Sequence, residues 1–223
     1  MEFDTGSSRE ETGSSSQGAS RGGNPGGGGY SLSDPVDSFV ATVRALIVQP
    51  AEFFRGVALR DGLLNPIGFA VICALIGAFL GGLITIFAAV VGIGDQGIGG
   101  AVGGFVGGLI FTPILTPIGL FIWAGISHLF VMLFVRPDNA GYWSTFRVVS
   151  YVSATSLVSW VPILGGLVAL VWGVILAILG IREVHSTTTG RAVLVVLVPA
   201  AVVLLLFALV AFSVLVGLLI GGR

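Results

Sequence analysis

The sequence predicts an all-α membrane protein, a polytopic bundle of five transmembrane helices preceded by amphipathic interfacial helices and a disordered N-terminal tail. Three observations predict this class. Hydrophobic residues make up 55% of the 223 residues and charged residues only 9%, whereas a soluble domain carries about 25% charged residues. Several apolar runs reach the roughly 20 residues that a helix needs to cross a bilayer. Arginines are concentrated between alternate runs, as the positive-inside rule requires.

Composition also excludes several functions. The net charge of −1 provides no basic surface for nucleic acid. Cys73 is the only cysteine, which excludes an intramolecular disulfide and a metal site built from several cysteines. Residues 1–30 contain no apolar segment of the kind that a secretory signal needs. They are rich in Gly and Ser, and therefore predict a disordered tail.

Residues 31–62 predict two short amphipathic helices. Pro50 begins the second of them, where Phe53 and Phe54 stand beside Arg55. An aromatic face next to a basic residue is typical of a helix that lies in the membrane interface. The alternative is an ordinary cytosolic helix that packs against the loops of the protein.

The membrane domain is predicted to comprise residues 63–223. Its spans are predicted at residues 66–91, 104–135, 143–161, 162–181 and 191–222. In the first span Gly77 and Gly81 form a small-residue face for close helix packing. The glycine-rich segment 92–108 lacks the Lys of a phosphate-binding loop and predicts a flexible turn that leads into a closely packed helix start. In the second span, prolines follow Thr112 and Thr116, which predicts a kink or a break.

The count of five spans depends on residues 148–181, which carry no charge. One helix of that length would measure about 51 Å, against a hydrocarbon core of about 30 Å. Pro162 predicts a turn that divides the segment into two spans. With the N-terminus in the cytoplasm, this division puts Arg182 and Arg191 on the cytoplasmic side and the C-terminus outside.

Polar residues within the spans suggest candidate sites. His128 is the only ionisable residue inside a predicted span, and no span offers it a carboxylate. This favours a neutral histidine that is hydrogen-bonded to a neighbouring helix, with a role in a transport pathway as the alternative. Hydroxyls along the third span, with Tyr151 among them, favour helix association over the lining of a cavity.

The segment "GIREVHSTTTGRAV" brings Glu183 and His185 close together in the sequence, between Arg182 and Arg191. It contains neither the G-x-S-x-G elbow of a serine hydrolase nor the H-E-x-x-H of a zinc protease. We therefore predict a cytoplasmic turn in which Glu183 pairs with one of these arginines and Thr189 caps the last helix. No catalytic residue, metal site or cofactor is predicted. The seven-residue spacing of three glycines in the fourth span predicts a packing seam: Gly166, Gly173 and Gly180.

Several segments, in order, resemble the Yip/Yif domain family of five-span membrane proteins. "VQPAEFFRGVALRDGLLNPIGFA" resembles the family's entry segment, and "AGISHLF" resembles the end of its second span. Residues 144–199 resemble its characteristic core. The most specific matches there are Arg147, Tyr151, Pro162, Gly165, Trp172, Gly180, Arg182 and the run from His185 to Arg191 and Ala192. The resemblance covers about residues 36–215.

This resemblance implies a compact helical bundle with a cytosolic N-terminus. Eukaryotic members of the family associate with small Rab-type GTPases and with one another, whereas the lysine-free composition here is more similar to prokaryotic members. We therefore predict a non-enzymatic scaffold that organises a prokaryotic cell membrane, with the lipid bilayer, copies of itself or other membrane proteins as partners. A small GTPase is implied only by the eukaryotic members. The alternative is a transporter or channel for a small solute or lipid, with a polar cavity near His128.

Overall fold

The computed structural model describes residues 29–57, 62–135 and 139–221. This part of the chain is helical and contains no β-strand. The helices are α1 Pro35–Val48, α2 Pro50–Val57, α3 Leu64–Val90, α4 Gly97–Phe134, α5 Tyr142–Val152, α6 Ser156–Ser159, α7 Leu164–Val184 and α8 Thr189–Gly221, with a 3-10 turn Ser153–Thr155 between α5 and α6.

Four of the described helices are long and apolar enough to cross a membrane: α3, α4, α7 and α8. Their bounds agree closely with four of the predicted spans, except at the start of α4. The remaining predicted span, residues 143–161, corresponds to α5, the 3-10 turn and α6. None of these three pieces reaches the length of a spanning helix by itself.

The segment from α5 to α6 runs along α3 in the same direction. Tyr151 of α5 contacts Phe69 early in α3, with ring centroids 5.2 Å apart. Trp160, which follows α6, faces Gly81 much further along α3. At 1.5 Å per residue, Gly81 lies about 25 Å beyond the start of α3. The contacts at Phe69 and Gly81 are about 18 Å apart along α3, so the broken helical segment follows α3 for at least this distance.

The glycine-rich segment contains more helix than predicted, and the two prolines do not break the helix. Helix α4 begins at Gly97, and Pro113 and Pro117 lie inside it without a break in the helix. The turn is confined to residues 91–96, where Gly92 and Gly94 have positive φ. A continuous helix satisfies its backbone hydrogen bonds internally, and glycine costs only about 1 kcal/mol per residue relative to alanine within a helix. The predicted turn is therefore wrong from Gly97 to Gly103, and the predicted break at the prolines is wrong, whereas a kink there stays a prediction.

The aromatic face of α2 is buried inside the protein. Phe53 and Phe54 are 5% and 0% exposed, and the ring of Phe53 lies 4.9 Å from that of Tyr151. The aromatic side chains of α2 therefore pack within the bundle instead of facing lipid, whereas the interfacial position of the helix stays a prediction. Helix α1 carries apolar residues that remain exposed, Val40 and Ile47 among them, so its position at the membrane stays a prediction.

The described residues include the last residue of the predicted tail. Tyr30, the last residue of the predicted tail, is 2% exposed and its ring lies 6.0 Å from that of Phe69. The tail prediction is therefore wrong at this residue. The rest of the predicted tail, residues 1–28, lies outside the described residues, as do residues 58–61 and 136–138.

Two of the predicted packing glycines, Gly77 and Gly180, allow close approaches between helices. A Cβ added to Gly77 would lie 2.6 Å from the carbonyl oxygen of Ser156. One added to Gly180 would lie 2.5 Å from a methyl group of Val148 and 3.2 Å from the ring of Phe54. A backbone oxygen cannot move aside as a flexible side chain can. Gly77 is therefore required where α3 meets α6. At Gly180 the neighbouring atoms belong to side chains, which the absence of a Cβ allows to pack closely where α7 meets α2 and α5.

The other glycines of the predicted seams are less constrained. The nearest atom to a Cβ added at Gly81 is 3.7 Å away, and at Gly173 it is 3.5 Å away, which are ordinary contact distances. Gly166 faces open space. The seam predicted in α7 is therefore in close contact at its C-terminal end only. Gly165, which lay outside the predicted seam, is buried against the backbone of Val158.

Candidate functional site

The two histidines of the chain are joined through one threonine. His128 Nδ1 lies 3.0 Å from Oγ1 of Thr145, and the same hydroxyl lies 3.0 Å from Nε2 of His185. The N–H of Ala140 donates to Nδ1 of His185 over 3.0 Å. The network thus joins α4, the α4–α5 turn, α5 and the α7–α8 turn, which the sequence separates by up to 57 positions.

The backbone N–H of Ala140 fixes the direction of every hydrogen bond in the network. Because Nδ1 of His185 accepts from this N–H, neutral His185 carries its proton on Nε2. That Nε2–H donates to Thr145, whose own hydroxyl proton is then free to donate to Nδ1 of His128. Each atom therefore has one consistent role, with both imidazoles neutral.

Burial keeps His185 neutral. The residue is 2% exposed, and this burial, together with the nearby His128, lowers the pKa of His185 to about 4. Thr145 is fully buried. The predicted neutral, hydrogen-bonded histidine at position 128 agrees with this geometry. No cluster of three or more His, Cys, Asp or Glu side chains that could hold a metal ion occurs within the described ranges.

Glu183 joins α7 to α2. Its Oε2 accepts from Nε of Arg55 over 2.9 Å, and its Oε1 accepts from Nε of Arg182 over 3.0 Å. The carboxylate of Glu183 raises the pKa of Arg55. The predicted pair with Arg182 is present, whereas Arg191 is exposed and its backbone N–H donates to Oγ1 of Thr188.

The polar side chains of the α7–α8 turn are bonded to other elements of the bundle. The imidazole of His185 is bonded to Ala140 and Thr145, and the carboxylate of Glu183 is bonded to two arginines. The cap of α8 also differs by one position. Thr189 begins the helix, so Thr188, which accepts from the third residue of α8, occupies the N-cap position predicted for Thr189.

A cavity of about 370 Å³ lies between α4, α5, α7 and α8. Its apolar wall includes Trp123 and Pro199. The hydroxyl-bearing residues on its wall are Thr116, Ser127, Ser153, Thr155 and Ser156. His128 follows Ser127 in the chain, but its side chain is bonded to the threonine of the network instead of lining the cavity. Thr112 lies one turn before Thr116 and is half-buried.

Arg147 and Tyr151 lie one turn apart on α5 and are both buried. They line a second cavity, of about 260 Å³, near the start of α3. The resemblance had singled out both residues, but not the cavity that they share.

Sequence reasoning missed three partners in these sites: Thr145, Ala140 and Arg55. Thr145 is one of many hydroxyl residues in the third predicted span, and Ala140 contributes only its backbone N–H. Arg55 lies 128 positions before Glu183. The available signal was the rarity of histidine, since two such residues in an apolar chain favour a common site.

Comparison with known proteins gives one match. A family model described as the Yip1 domain matches residues 44–212, which is more than half of the chain. No curated protein matches, and no solved structure matches.

Proposed function

Since the chain belongs to the Yip1 domain family, we propose that it is a non-enzymatic multi-pass protein that organises the membrane by assembling into oligomers. The observation that carries this proposal is an uncovered glycine stripe on α4. The stripe consists of three glycine pairs spaced by four residues: Gly99 and Gly100, Gly103 and Gly104, and Gly107 and Gly108.

The stripe has the form of a helix-packing surface without a partner in the single chain. A Cβ added to Gly103, Gly104, Gly107 or Gly108 would meet no atom within 4 Å. Small residues repeated every four positions allow two membrane helices to approach closely, and van der Waals packing between them then drives association. A second copy that offers the same stripe would supply this packing.

The test measures oligomer size by counting photobleaching steps of labelled protein in dilute proteoliposomes. Leucines introduced by Gly103→Leu and Gly107→Leu fit the open space of the single chain but hold a second helix away. We expect the dissociation constant to rise at least tenfold. Gly166→Leu, at another open glycine, is the matched control and leaves assembly unchanged. Wild-type protein that remains monomeric, or equal loss in both variants, contradicts the proposal.

The proposal includes a five-span topology with a cytoplasmic N-terminus and an external C-terminus. Two contacts support it: Arg55 before α3 pairs with Glu183, and Ala140 after α4 bonds to His185. These contacts bring the start of α3 and the ends of α4 and α7 to one end of the bundle. The chain that follows α4 must therefore cross to the opposite end before α7 returns. The common direction of α3 and the segment from α5 to α6 supports the same conclusion.

Cysteine labelling in intact cells tests this topology in a Cys73→Ala background. In five spans, Thr188→Cys is protected from an impermeant reagent, as Ser33→Cys is, while Asp95→Cys is labelled. In four spans, Thr188→Cys is labelled together with Asp95→Cys. Labelling at position 188 therefore contradicts the five-span proposal.

The cavity with hydroxyl groups favours one alternative function, the binding or movement of a lipid or small solute. Its walls combine apolar and hydroxyl surface, as ligand sites often do. The test follows fluorescent-lipid movement and solute leakage in reconstituted vesicles. If wild-type protein moves either and Ser153→Leu stops it while oligomers persist, transport replaces the scaffold as the function.

A further inference from the structure

Arg147 is a buried cation on α5. It is 9% exposed, and its Nε is buried without a hydrogen-bond partner among the residues that the structure describes. Arg44, Arg55 and Arg191 are all exposed. Removing a charge from water is costly unless an opposite charge and hydrogen bonds replace the water. The position of Arg147 therefore calls for an anion.

The second cavity gives access to this side chain. Tyr30, Arg147 and Tyr151 are buried at its base, while Gly62 and Asn65 are exposed at its mouth. Val57 and Pro66 complete the described wall, which contains no Asp or Glu. A cavity that opens at the surface and ends at a buried arginine is suited to an anion that enters from outside.

The hydrogen-bonding groups favour a phosphate. A guanidinium group presents N–H donors in a planar fork that matches two oxygens of one anion. Asn65 accepts the N–H of Leu32 through its Oδ1 over 3.2 Å, so its amide nitrogen remains as a donor at the mouth. The volume of about 260 Å³ is slightly below the roughly 300 to 1,000 Å³ of sites for drug-sized ligands. It therefore accommodates a small headgroup and excludes a whole lipid.

The location connects this chemistry to the membrane. Gly62, Asn65 and Pro66 belong to the entry of α3, the first apolar helix, so the cavity lies where a spanning helix meets the headgroup layer. We propose that the Arg147 cavity binds a phosphate group, with the exposed phosphate of an anionic lipid headgroup as its source. This site is independent of the glycine stripe and of the cavity between α4 and α8.

The test titrates purified protein in neutral detergent with short-chain phosphatidic acid, phosphatidylcholine or inorganic phosphate, and follows the melting temperature and lipid adducts by native mass spectrometry. Phosphatidic acid should bind saturably and raise the melting temperature, and phosphatidylcholine should bind at least tenfold more weakly. Inorganic phosphate that binds as tightly as phosphatidic acid assigns the site to soluble phosphate and overturns the lipid source.

Three variants separate this site from general charge attraction. Arg147→Gln should weaken phosphatidic acid binding at least tenfold, whereas Arg44→Gln removes an exposed arginine and should change it less than twofold. If Arg147→Gln fails to fold, Arg147→Lys keeps the charge without the planar fork, and should bind several-fold more weakly than wild type. Equal weakening in Arg44→Gln, or unchanged binding in both Arg147 variants, overturns the proposal.

A counter-charge from the chain itself is the competing explanation, because Asp61 precedes Gly62 in the sequence. Under our proposal, Asp61→Asn leaves phosphatidic acid binding intact or tighter. If Asp61→Asn lowers the melting temperature as much as Arg147→Gln, and neither variant changes lipid binding, the phosphate site is overturned.

Discussion

Thr145→Val tests whether the threonine hydroxyl holds the two histidines in place. Valine has nearly the same shape as threonine but no hydroxyl, so the change removes two hydrogen bonds and leaves the packing of α5 almost unaltered. Both lost bonds are 3.0 Å long. After the change, Nε2–H of His185 has no acceptor in a position that is 2% exposed.

The expected loss of stability follows from this geometry. A hydrogen bond contributes about 1 kcal/mol net, and a buried donor left without a partner costs about 1 to 3 kcal/mol. His128 is less buried than His185, so its freed Nδ1 costs less. The free energy of unfolding should therefore fall by roughly 2 to 4 kcal/mol. Thr145→Ser keeps the hydroxyl and loses one methyl group, which costs about 1 kcal/mol.

The measurement is reversible unfolding in mixed micelles, with tryptophan fluorescence as the signal. Thr42→Val is the matched control, because Thr42 is also fully buried but its hydroxyl has no hydrogen-bond partner among the described residues. Removing that hydroxyl should leave stability unchanged or raise it. The reasoning is refuted if Thr145→Val is as stable as wild type, or if Thr42→Val costs as much as Thr145→Val.

Two further predictions use the same unfolding assay. Gly77→Ala should lower the free energy of unfolding by about 1 to 3 kcal/mol, the usual range for overpacking, because the added Cβ would lie 2.6 Å from a backbone oxygen. Gly81→Ala should cost little, because the nearest atom to its added Cβ is 3.7 Å away. Equal effects of the two substitutions would contradict this distinction. For His185, the pKa of about 4 in the folded protein lies below its ordinary value of 6.5. Between these values the unfolded chain binds the proton and the folded chain does not. The contribution of His185 to the free energy of unfolding is therefore fully present above about pH 6.5, falls by roughly 3 kcal/mol as the pH drops toward 4, and changes no further below that. A His185→Gln variant should lose this part of the pH dependence. A variant with the same pH profile as wild type would contradict the prediction.

The sequence predicted four of the helices well because their signals are local. Long apolar runs and the arginines between them define α3, α4, α7 and α8 to within a few residues at most ends. Only the start of α4 deviates further, because the low helix propensity of glycine indicates a turn, whereas the helix includes residues 97–103. Periodicity likewise predicted an apolar face on α2, but the same face suits lipid or a protein core. Phe53 and Phe54 could therefore not be assigned to either from the pattern alone.

The candidate site was only half predictable for a related reason. His128 and His185 stand out as ionisable residues in an apolar chain, and Glu183 stands out in the turn. Their partners are common groups, a threonine hydroxyl and a backbone N–H, which carry no sequence signal. The glycines show the same limit. Gly77 and Gly81 hold equivalent positions in a small-residue motif, and only the position of α6 makes one of them indispensable.

The contacts that hold α2 against the bundle differ in strength and in what they specify. Phe53 and Phe54 are almost completely buried, and burying a side chain of this kind stabilises by about 1.5 to 3 kcal/mol. Arg55 is largely exposed in its pair with Glu183, and such pairs contribute little because water and salt screen them. The aromatic side chains therefore supply most of the affinity of α2 for α5 and α7. Apolar contacts tolerate rotation, whereas the ion pair connects two defined atoms, so the pair selects the orientation in which α2 meets the α7–α8 turn.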